Sequence, residues 1–287
     1  MNSLSKDNWD IEITSKNSIF SLKLKDVLNY RDLLILLVKR DFVSFYKQTI
    51  LGPIWFFVQP IITILIYNLV FNNLAQISTN NLPAPVFYLA GVILWNYFAD
   101  CLTKTSTVFR DNADLLGKVY FPRLIMPLSI VLSNLIRFTV QFLLFLILMF
   151  IYSFNSTAIS PNIYLLLFPV LIMLIAALGL GLGMIISAVT TKYRDVAFIV
   201  SFGVPLIMYT TSVVYPLSTA VVRYPAYSWI IKFNPITSII ETFRYGFLGK
   251  GSFSWELLGY GASVTLLILF IGIIFFNKVE KTFVDTV

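Results

Sequence analysis

Histidine is absent from the 287-residue chain, cysteine occurs once (Cys101), and only 12% of residues are charged. Without imidazole, the commonest acid/base group near neutral pH is missing and no Cys/His zinc set can be assembled. A single cysteine cannot close an internal disulfide. These gaps argue against a hydrolase or a metalloenzyme. The charge content is about half the roughly 25% of a soluble globular domain, while 58% of the chain is hydrophobic. Disorder is thereby excluded, and an ordinary soluble domain does not fit. The net charge of +7 is not a nucleic-acid footprint, because the basic residues sit between apolar runs and not on one clustered face. They read instead as orientation signals in a bilayer.

A helix needs about 20 mostly apolar residues to cross the roughly 30 Å hydrocarbon layer. Six stretches qualify, near 54–73, 86–106, 125–151, 163–188, 197–214 and 256–276. They predict an all-α polytopic membrane protein with six transmembrane helices. Residues 1–49 hold eight basic and six acidic residues and no apolar run of the secretory-signal kind, so the N-terminus is expected in the cytosol. With that end inside, the inner segments collect sixteen of the twenty-one Lys and Arg; the outer connections at 74–85 and 153–162 hold none, the long 215–255 connection holds four, and Arg137 lies within a span. Both termini are therefore expected to be cytoplasmic. The chain divides into a cytosolic tail with an amphipathic interface helix (1–49) and a transmembrane domain (50–287).

Three segments outside the spans have patterns of their own. In 26–49, Asp32, Arg40 and Lys47 recur on one helical face, with Leu33, Leu36, Leu37 and Val43 facing elsewhere. Such a helix lies along the inner membrane surface, as an anchor for the first span or as a docking surface for a cytosolic partner. In the loop 107–123, Asp111 or Asn112 can cap a short helix, Gly117 can end it and Pro122 resets the chain. That loop is either an ordinary connector or a lever that moves two spans at once. In 215–255, Asn234-Pro235 predicts an N-cap followed by proline at the first helical position, opening a helix with Glu241 and Arg244 at i,i+3. Pro216, Pro225 and Pro235 interrupt the apolar stretches there, which predicts a re-entrant helical hairpin in the outer leaflet between the fifth and sixth spans.

A phosphate-binding loop is missing. Leu248-Gly249-Lys250-Gly251-Ser252 comes nearest, but Arg244 stands where the first glycine is needed and Gly251 where the magnesium-binding hydroxyl is needed. Gly179, Gly183 and Ser187 have the four-residue spacing of close helix packing. Asp100 and Lys104 at i,i+4 predict a local ion pair. Arg137 lies about a dozen residues into its span, so it is expected to face a wet cavity as a pathway residue or to pair with Glu241 or Asp100. The aromatic content is high, and Trp55, Tyr67, Tyr88, Trp95, Tyr97, Tyr209 and Tyr215 combine a flat apolar face with a polar edge suited to stacking on sugar rings. Interfacial belts are the alternative use of the same residues.

The stretch Tyr46-Lys47-Gln48-Thr49-Ile50-Leu51-Gly52-Pro53-Ile54-Trp55 with Gln59-Pro60 is followed by Gly91 with Trp95. Then come Lys118-Val119-Tyr120-Phe121-Pro122-Arg123, Tyr193-Arg194-Asp195, Val214-Tyr215-Pro216 and Asn234-Pro235. In this order and spacing, from about residue 9 to 248, the chain resembles the membrane subunits of ABC-2 type polysaccharide exporters, which move O-antigen, capsular or teichoic-acid polymers. It departs from that pattern at Phe45, where the family often has Arg, and at Arg137, where many relatives are expected to be acidic or neutral.

The resemblance implies a homodimer in the bacterial cytoplasmic (inner) membrane, joined to two copies of a separate cytosolic ATPase that holds ATP and Mg. No cofactor is expected on this chain, and no nucleic-acid partner. Asn112, Asp114, Leu115, Leu116 and Lys118 become the coupling element, and the helix bearing Asp32, Arg40 and Lys47 the lateral contact. Tyr215, Pro216, Asn234, Pro235, Glu241 and Arg244 become the outer gate. The cargo implied is a polysaccharide on a polyprenyl diphosphate, for which Lys39, Arg40, Lys47, Lys118 and Arg123 are candidate donors. The seven aromatics, with Arg137, are candidates for the channel lining. The rivals are an ABC-2 permease for a drug or simple lipid and, outside transport, a polytopic membrane enzyme or scaffold.

Overall fold

The computed structural model describes residues 28–47, 49–118, 121–155 and 159–283, all helix, turn and connection, with no β-strand among them. Helix α1 (Arg31–Tyr46) is followed by Gly52 at φ +53° and a 3-10 turn, Gly52–Ile54. Glycine takes that φ without a Cβ clash, and Pro53 has its own φ preset for a first helical turn. From there α2 (Trp55–Tyr67) runs on through a π-helical stretch, Asn68–Leu74. Next come α3 (Ala84–Ser106), the short α4 (Val108–Asp111) and α5 (Ala113–Lys118), and the long α6 (Ile125–Asn155). A 3-10 turn, Ile163–Leu167, leads into α7 (Phe168–Thr190), and α8 (Val196–Ile207) follows. The chain closes with α9 (Leu217–Arg223), α10 (Ser228–Lys232), α11 (Pro235–Leu248) and α12 (Trp255–Phe283).

Five stretches are long and apolar enough to cross a membrane: Gly52–Leu74, Ala84–Ser106, Ile125–Phe154, Ile163–Thr190 and Trp255–Val279. The span expected at 197–214 meets a shorter apolar stretch, Val196–Thr210. Its fifteen residues cover about 22 Å at 1.5 Å per residue, less than a bilayer core. Pro205 removes an amide donor near its end, the last turn tightens to 3-10 at Met208–Thr210, and Thr211 is already extended.

The core is built around α3, which packs on α7 and α6 and also touches α2, α8 and α11. Leu89, Ile93, Leu94 and Cys101 on α3 are wholly buried. Close approach of α7 to two neighbours depends on its glycines. A Cβ on Gly183 would lie 2.6 Å from Thr105 Cβ of α3, and one on Gly181 would lie 2.8 Å from Leu269 Cα of α12. The small-residue spacing is thus used for packing, as its pattern predicts, and on two faces instead of one. At the end of the bundle carrying Arg110, Lys192 and Lys278, called the basic end below, a second cluster joins Leu37 of α1, Phe109 of α4, Ile125 and Met126 of α6 and Phe276 of α12. At the opposite end α11 lies among α3, α12 and the Ile163–Leu167 turn. Phe142 of α6 stacks on Phe168 of α7 at 4.4 Å and Phe243 on Phe247 of α11 at 4.5 Å, and the two stacks meet edge to face, as in Phe168–Phe247.

Candidate functional site

Helices α4 and α5 meet at Asn112 at the basic end. The Asn112 side chain donates from Nδ2 to Val108 O (3.0 Å), closing α4, and its Oδ1 accepts from Arg40 Nη2 of α1 (3.4 Å). Asp111 accepts from Thr107 Oγ1 (2.6 Å) and from Arg110 Nε (2.9 Å). Val108 and Phe109 point inward, and Phe109 stacks on Phe276 at 4.7 Å. The 107–118 segment is therefore fastened to α12 by a ring stack and to α1 by a side-chain hydrogen bond, so a displacement of it moves both. Gly117 lies inside α5 and does not end it. Asp114 is exposed and Leu115 half-buried against the basic-end cluster. The side chains of Leu116 and Lys118 lie outside the described set.

On α1 the buried side is Leu37 with Leu33 and Leu34. Leu36, expected among the apolar positions facing away from the charges, is 63% exposed. It lies beside Lys39, Arg40, Val43, Ser44 and Lys47 in a surface groove of about 650 Å³. Three of the candidate diphosphate donors, Lys39, Arg40 and Lys47, are thus brought together, whereas Arg123 is half-buried and is not part of the groove. Asp32 is exposed beside Arg31 (3.9 Å).

Deeper in, α2, α3 and α6 hold a polar set. Arg137 Nη1 donates to Asp100 Oδ2 (3.0 Å) and Nη2 to Gln59 Oε1 (2.9 Å), with the guanidinium 5.6 Å from the Phe56 ring centre. Lys104 Nζ donates to Asn134 Oδ1 (2.8 Å). The local Asp100–Lys104 pair expected from spacing is replaced by two cross-helix links, because α6 offers each residue a partner held in place by packing. Pairing along one exposed helix face yields only about 0.3–0.5 kcal/mol. Arg137 pairs with Asp100, one of the two partners expected for it, and with Arg40, Lys104, Ser133 and Asn134 it lines a cavity of about 330 Å³.

At the opposite end Asn234 caps α11, its Oδ1 accepting from Ile236 N (3.0 Å) with Pro235 at the first helical position. About two turns on, Glu241 and Arg244 form a pair at 3.4 Å, each 1% exposed. Arg244 lies over the Phe87 ring at 3.7 Å and donates to Ser212 O, Val213 O (2.7 Å) and Phe87 O (3.2 Å). Glu241 accepts from Leu217 N (3.3 Å) and Ser252 N (2.9 Å). The pair therefore ties α11 to the start of α3, to the 212–217 connection and to the turn after α11. That turn contains the phosphate-loop look-alike, and Gly249 serves in it as a left-handed cap at φ +72°. The 215–255 segment holds three helices, α9, α10 and α11, where two partial ones were expected. Tyr215 Oη donates to Tyr209 O (2.7 Å), and burial raises the pKa of that hydroxyl, keeping it a donor.

The aromatic candidates separate by burial. Tyr88, Trp95 and Tyr97 are packed within the subunit and present no ring face to a passage, because α3 is enclosed on nearly all sides. Trp55 and Tyr209 are exposed, and Tyr67 and Tyr215 half-buried. Sequence reasoning used Gln59 only in the resemblance and gave it no site role, and it passed over Ser133, Asn134 and Phe109. The first three are neutral polar residues in apolar runs, a signal of the same kind as Arg137 but without its charge. Phe109 carried no signal beyond its place in the connecting loop.

Comparison with known proteins agrees with this architecture. Residues 32–248 match the ABC-2 type transporter family. The chain is 29% identical over 264 residues to the O-antigen export system permease protein RfbA of Myxococcus xanthus, covering 92% of this chain and 98% of that protein. It is 27% identical over 267 residues to RfbA of Klebsiella pneumoniae, covering 92% and 99%. With the polysialic acid transport protein KpsM of Escherichia coli it shares 21% identity over 235 residues, 80% of this chain and 87% of that one. With the family match spanning most of the chain and five apolar helices of membrane-crossing length, this protein is a multi-pass membrane protein of the ABC-2 type transporter family.

Proposed function

We propose that the chain is the channel-forming subunit of an ATP-driven exporter that moves a lipid-linked polysaccharide across the bacterial cytoplasmic membrane. The observation that carries the proposal is the near end-to-end alignment with two proteins named O-antigen export permeases, which leaves little of either partner unmatched. In this proposal the short Val196–Thr210 stretch is a sixth crossing, both termini and the basic end face the cytosol, and α9–α11 form the outer closure. Two copies pair, and each receives one ATPase subunit, which holds ATP and Mg, against Asn112, Asp114, Leu115, Leu116 and Lys118.

Closure of the ATPase pair would press on α4 and α5. Phe109 would transmit the push to α12, and Asn112 would pass it to Arg40 on α1. The two membrane subunits would part, and the lipid diphosphate would be drawn in by Lys39, Arg40 and Lys47 on the α1 groove, with Lys118 and Arg123 assisting through charge-assisted hydrogen bonds. The polymer would follow, packing on the accessible rings of Trp55, Tyr67, Tyr209 and Tyr215.

Deleting the gene in its own host tests this. The expected result is lipid-linked polymer accumulating inside the cell while the surface polymer disappears, with restoration by the intact chain. Normal surface polymer together with new sensitivity to a small toxic compound would show a drug permease instead.

A further inference from the structure

Helix α1 carries two stripes, and only one of them is covered. Leu33, Leu34 and Leu37 pack inward on the basic-end cluster. Leu36, Lys39, Arg40, Val43, Ser44 and Lys47 recur at steps of three and four along another face, and they line the surface groove of about 650 Å³. Five of these belong to α1 and Lys47 is its C-cap, so no second element among the described residues closes the groove. Leu36 is 63% exposed there. Arg40 is engaged by Asp41 (2.8 Å). Lys39 and Lys47 are exposed and form no ion pair among the described residues. The face therefore has an apolar floor and a basic edge, and it stands open.

The same chain carries a segment of the opposite character. Residues 7–13, Asp-Asn-Trp-Asp-Ile-Glu-Ile, hold three acids and no base, together with the large apolar side chains Trp9, Ile11 and Ile13. The described chain starts at residue 28, at the N-terminal end of α1, so residues 14–27 tether this segment to the helix. Those fourteen residues span at most about 46–50 Å. The middle of the open stripe lies only about 20 Å from residue 28 along the helix. Asp7 and Glu12 stand at most about 16–18 Å apart, enough to meet both Lys39 and Lys47, which are separated by about 12 Å on the helix. A short tether also gives the segment a local concentration in the millimolar range at that face, an advantage no free occupant has.

We infer that residues 7–13 dock on the open stripe of α1 in their own chain, with Trp9, Ile11 and Ile13 over Leu36 and Val43 and the acids against Lys39 and Lys47. The contact follows from the face and the segment alone. Its consequence rests on the export proposal: the segment covers the lysines offered to the lipid diphosphate and has to leave before the headgroup enters, which makes it an autoinhibitory cover.

Disulfide formation in the full-length chain in detergent tests this, since the native Cys101 is fully buried. Ile11→Cys is combined either with Ser44→Cys on the stripe or with Ile35→Cys. Ile35 is 63% exposed, lies nearer to the tether and sits about half a turn around α1 from Ser44. The 11–44 bond, identified by peptide mass spectrometry, is expected to form at least about tenfold faster than the 11–35 bond. Reversing two charges with Asp10→Lys and Glu12→Lys should slow it at least about fivefold, and adding Lys39→Glu and Lys47→Glu should restore most of the rate, because opposite charges face each other again. If the fourfold variant does not fold, about 1 M salt decides on the parent pair, where screening is expected to slow the 11–44 bond at least about twofold. Equal rates for the two bonds, or a rate indifferent to charge reversal and to salt, overturns the proposal. So does an 11–44 bond found only between two chains, which would give the face to a second copy, or one that vanishes in nanodiscs containing phosphatidylglycerol, which would give it to lipid. No ATPase or polymer is present in this assay, so its failure leaves the export proposal standing, and failure of export leaves the docking result standing.

Discussion

Two arginines lie in apolar surroundings of this chain, each with a carboxylate, and they are held in opposite ways. Arg244 is 1% exposed, clamped between Glu241, three backbone carbonyls and the face of Phe87. Arg137 and Asp100 retain 15% and 31% side-chain exposure, and Arg137 borders a cavity of about 330 Å³. A dry pair cannot exchange its partners for water, so it fixes the segments it touches. A pair beside a cavity can release one partner at modest cost, which suits a place where something enters or moves. The α9–α11 end is therefore expected to act as a rigid unit with the start of α3, and the basic-end junction as the adaptable region.

Substitutions at the two sites should separate them. Arg244→Met strands the Glu241 carboxylate, and a loss of about 3–5 kcal/mol is expected, measured as a collapse of monodisperse protein on heating in detergent. Adding Glu241→Gln should return part of that loss. Gly91→Ala disturbs the same site more gently, since its Cβ would stand 2.9 Å from Arg244 Nη2 and from Val213 O. About 1–3 kcal/mol is expected from this overpacking, read in the same assay. At the Arg137 pair, Asp100→Asn should cost no more than about 1.5 kcal/mol, because water and Gln59 can take over. Protein levels should hold while surface polymer, followed by immunoblot, declines. A cost at Asp100 equal to that at Arg244 would erase the distinction between dry and wet.

The smallest stability effect is expected at the lever. Asn112→Ala should cost about 1 kcal/mol but lower the stimulation of the partner ATPase, assayed as phosphate release from the reconstituted complex. A labelling route is available in wild-type background, since Cys101 is fully buried. Introduced thiols such as Leu115→Cys can be followed with little competition.

What the sequence revealed depended on range. The Asn234-Pro235 helix start is visible because a cap involves neighbours in the chain, and the side chain does cap Ile236 N. Membrane-crossing helices were visible for a similar reason, since twenty apolar residues in a row need no tertiary partner. Spacing also found Glu241 with Arg244, but not the amides and carbonyls of 212–217 and 252 that the pair secures, which arrive by folding. At Asp100 and Lys104 the i,i+4 rule gave the wrong partners, because α6 brought better-placed ones. The burial of Tyr88, Trp95 and Tyr97 was hidden for another reason. The first half of α3, residues 84–95, is apolar on every side and gives no clue which face meets lipid, and the helix turned out to be enclosed on nearly all of them.

The central claim is that this chain forms the passage while a separate ATPase supplies the energy through the 107–118 segment. Inverted vesicles containing the chain, with and without the ATPase, measure it directly by protection of a labelled lipid-linked polymer from an added glycosidase. Protection that requires both proteins and ATP, and that is lost with Phe109→Ala in protein that still inserts, is the expected result. Protection by the chain alone without nucleotide, or a Phe109→Ala variant that inserts and transports at the parent rate, would contradict the account.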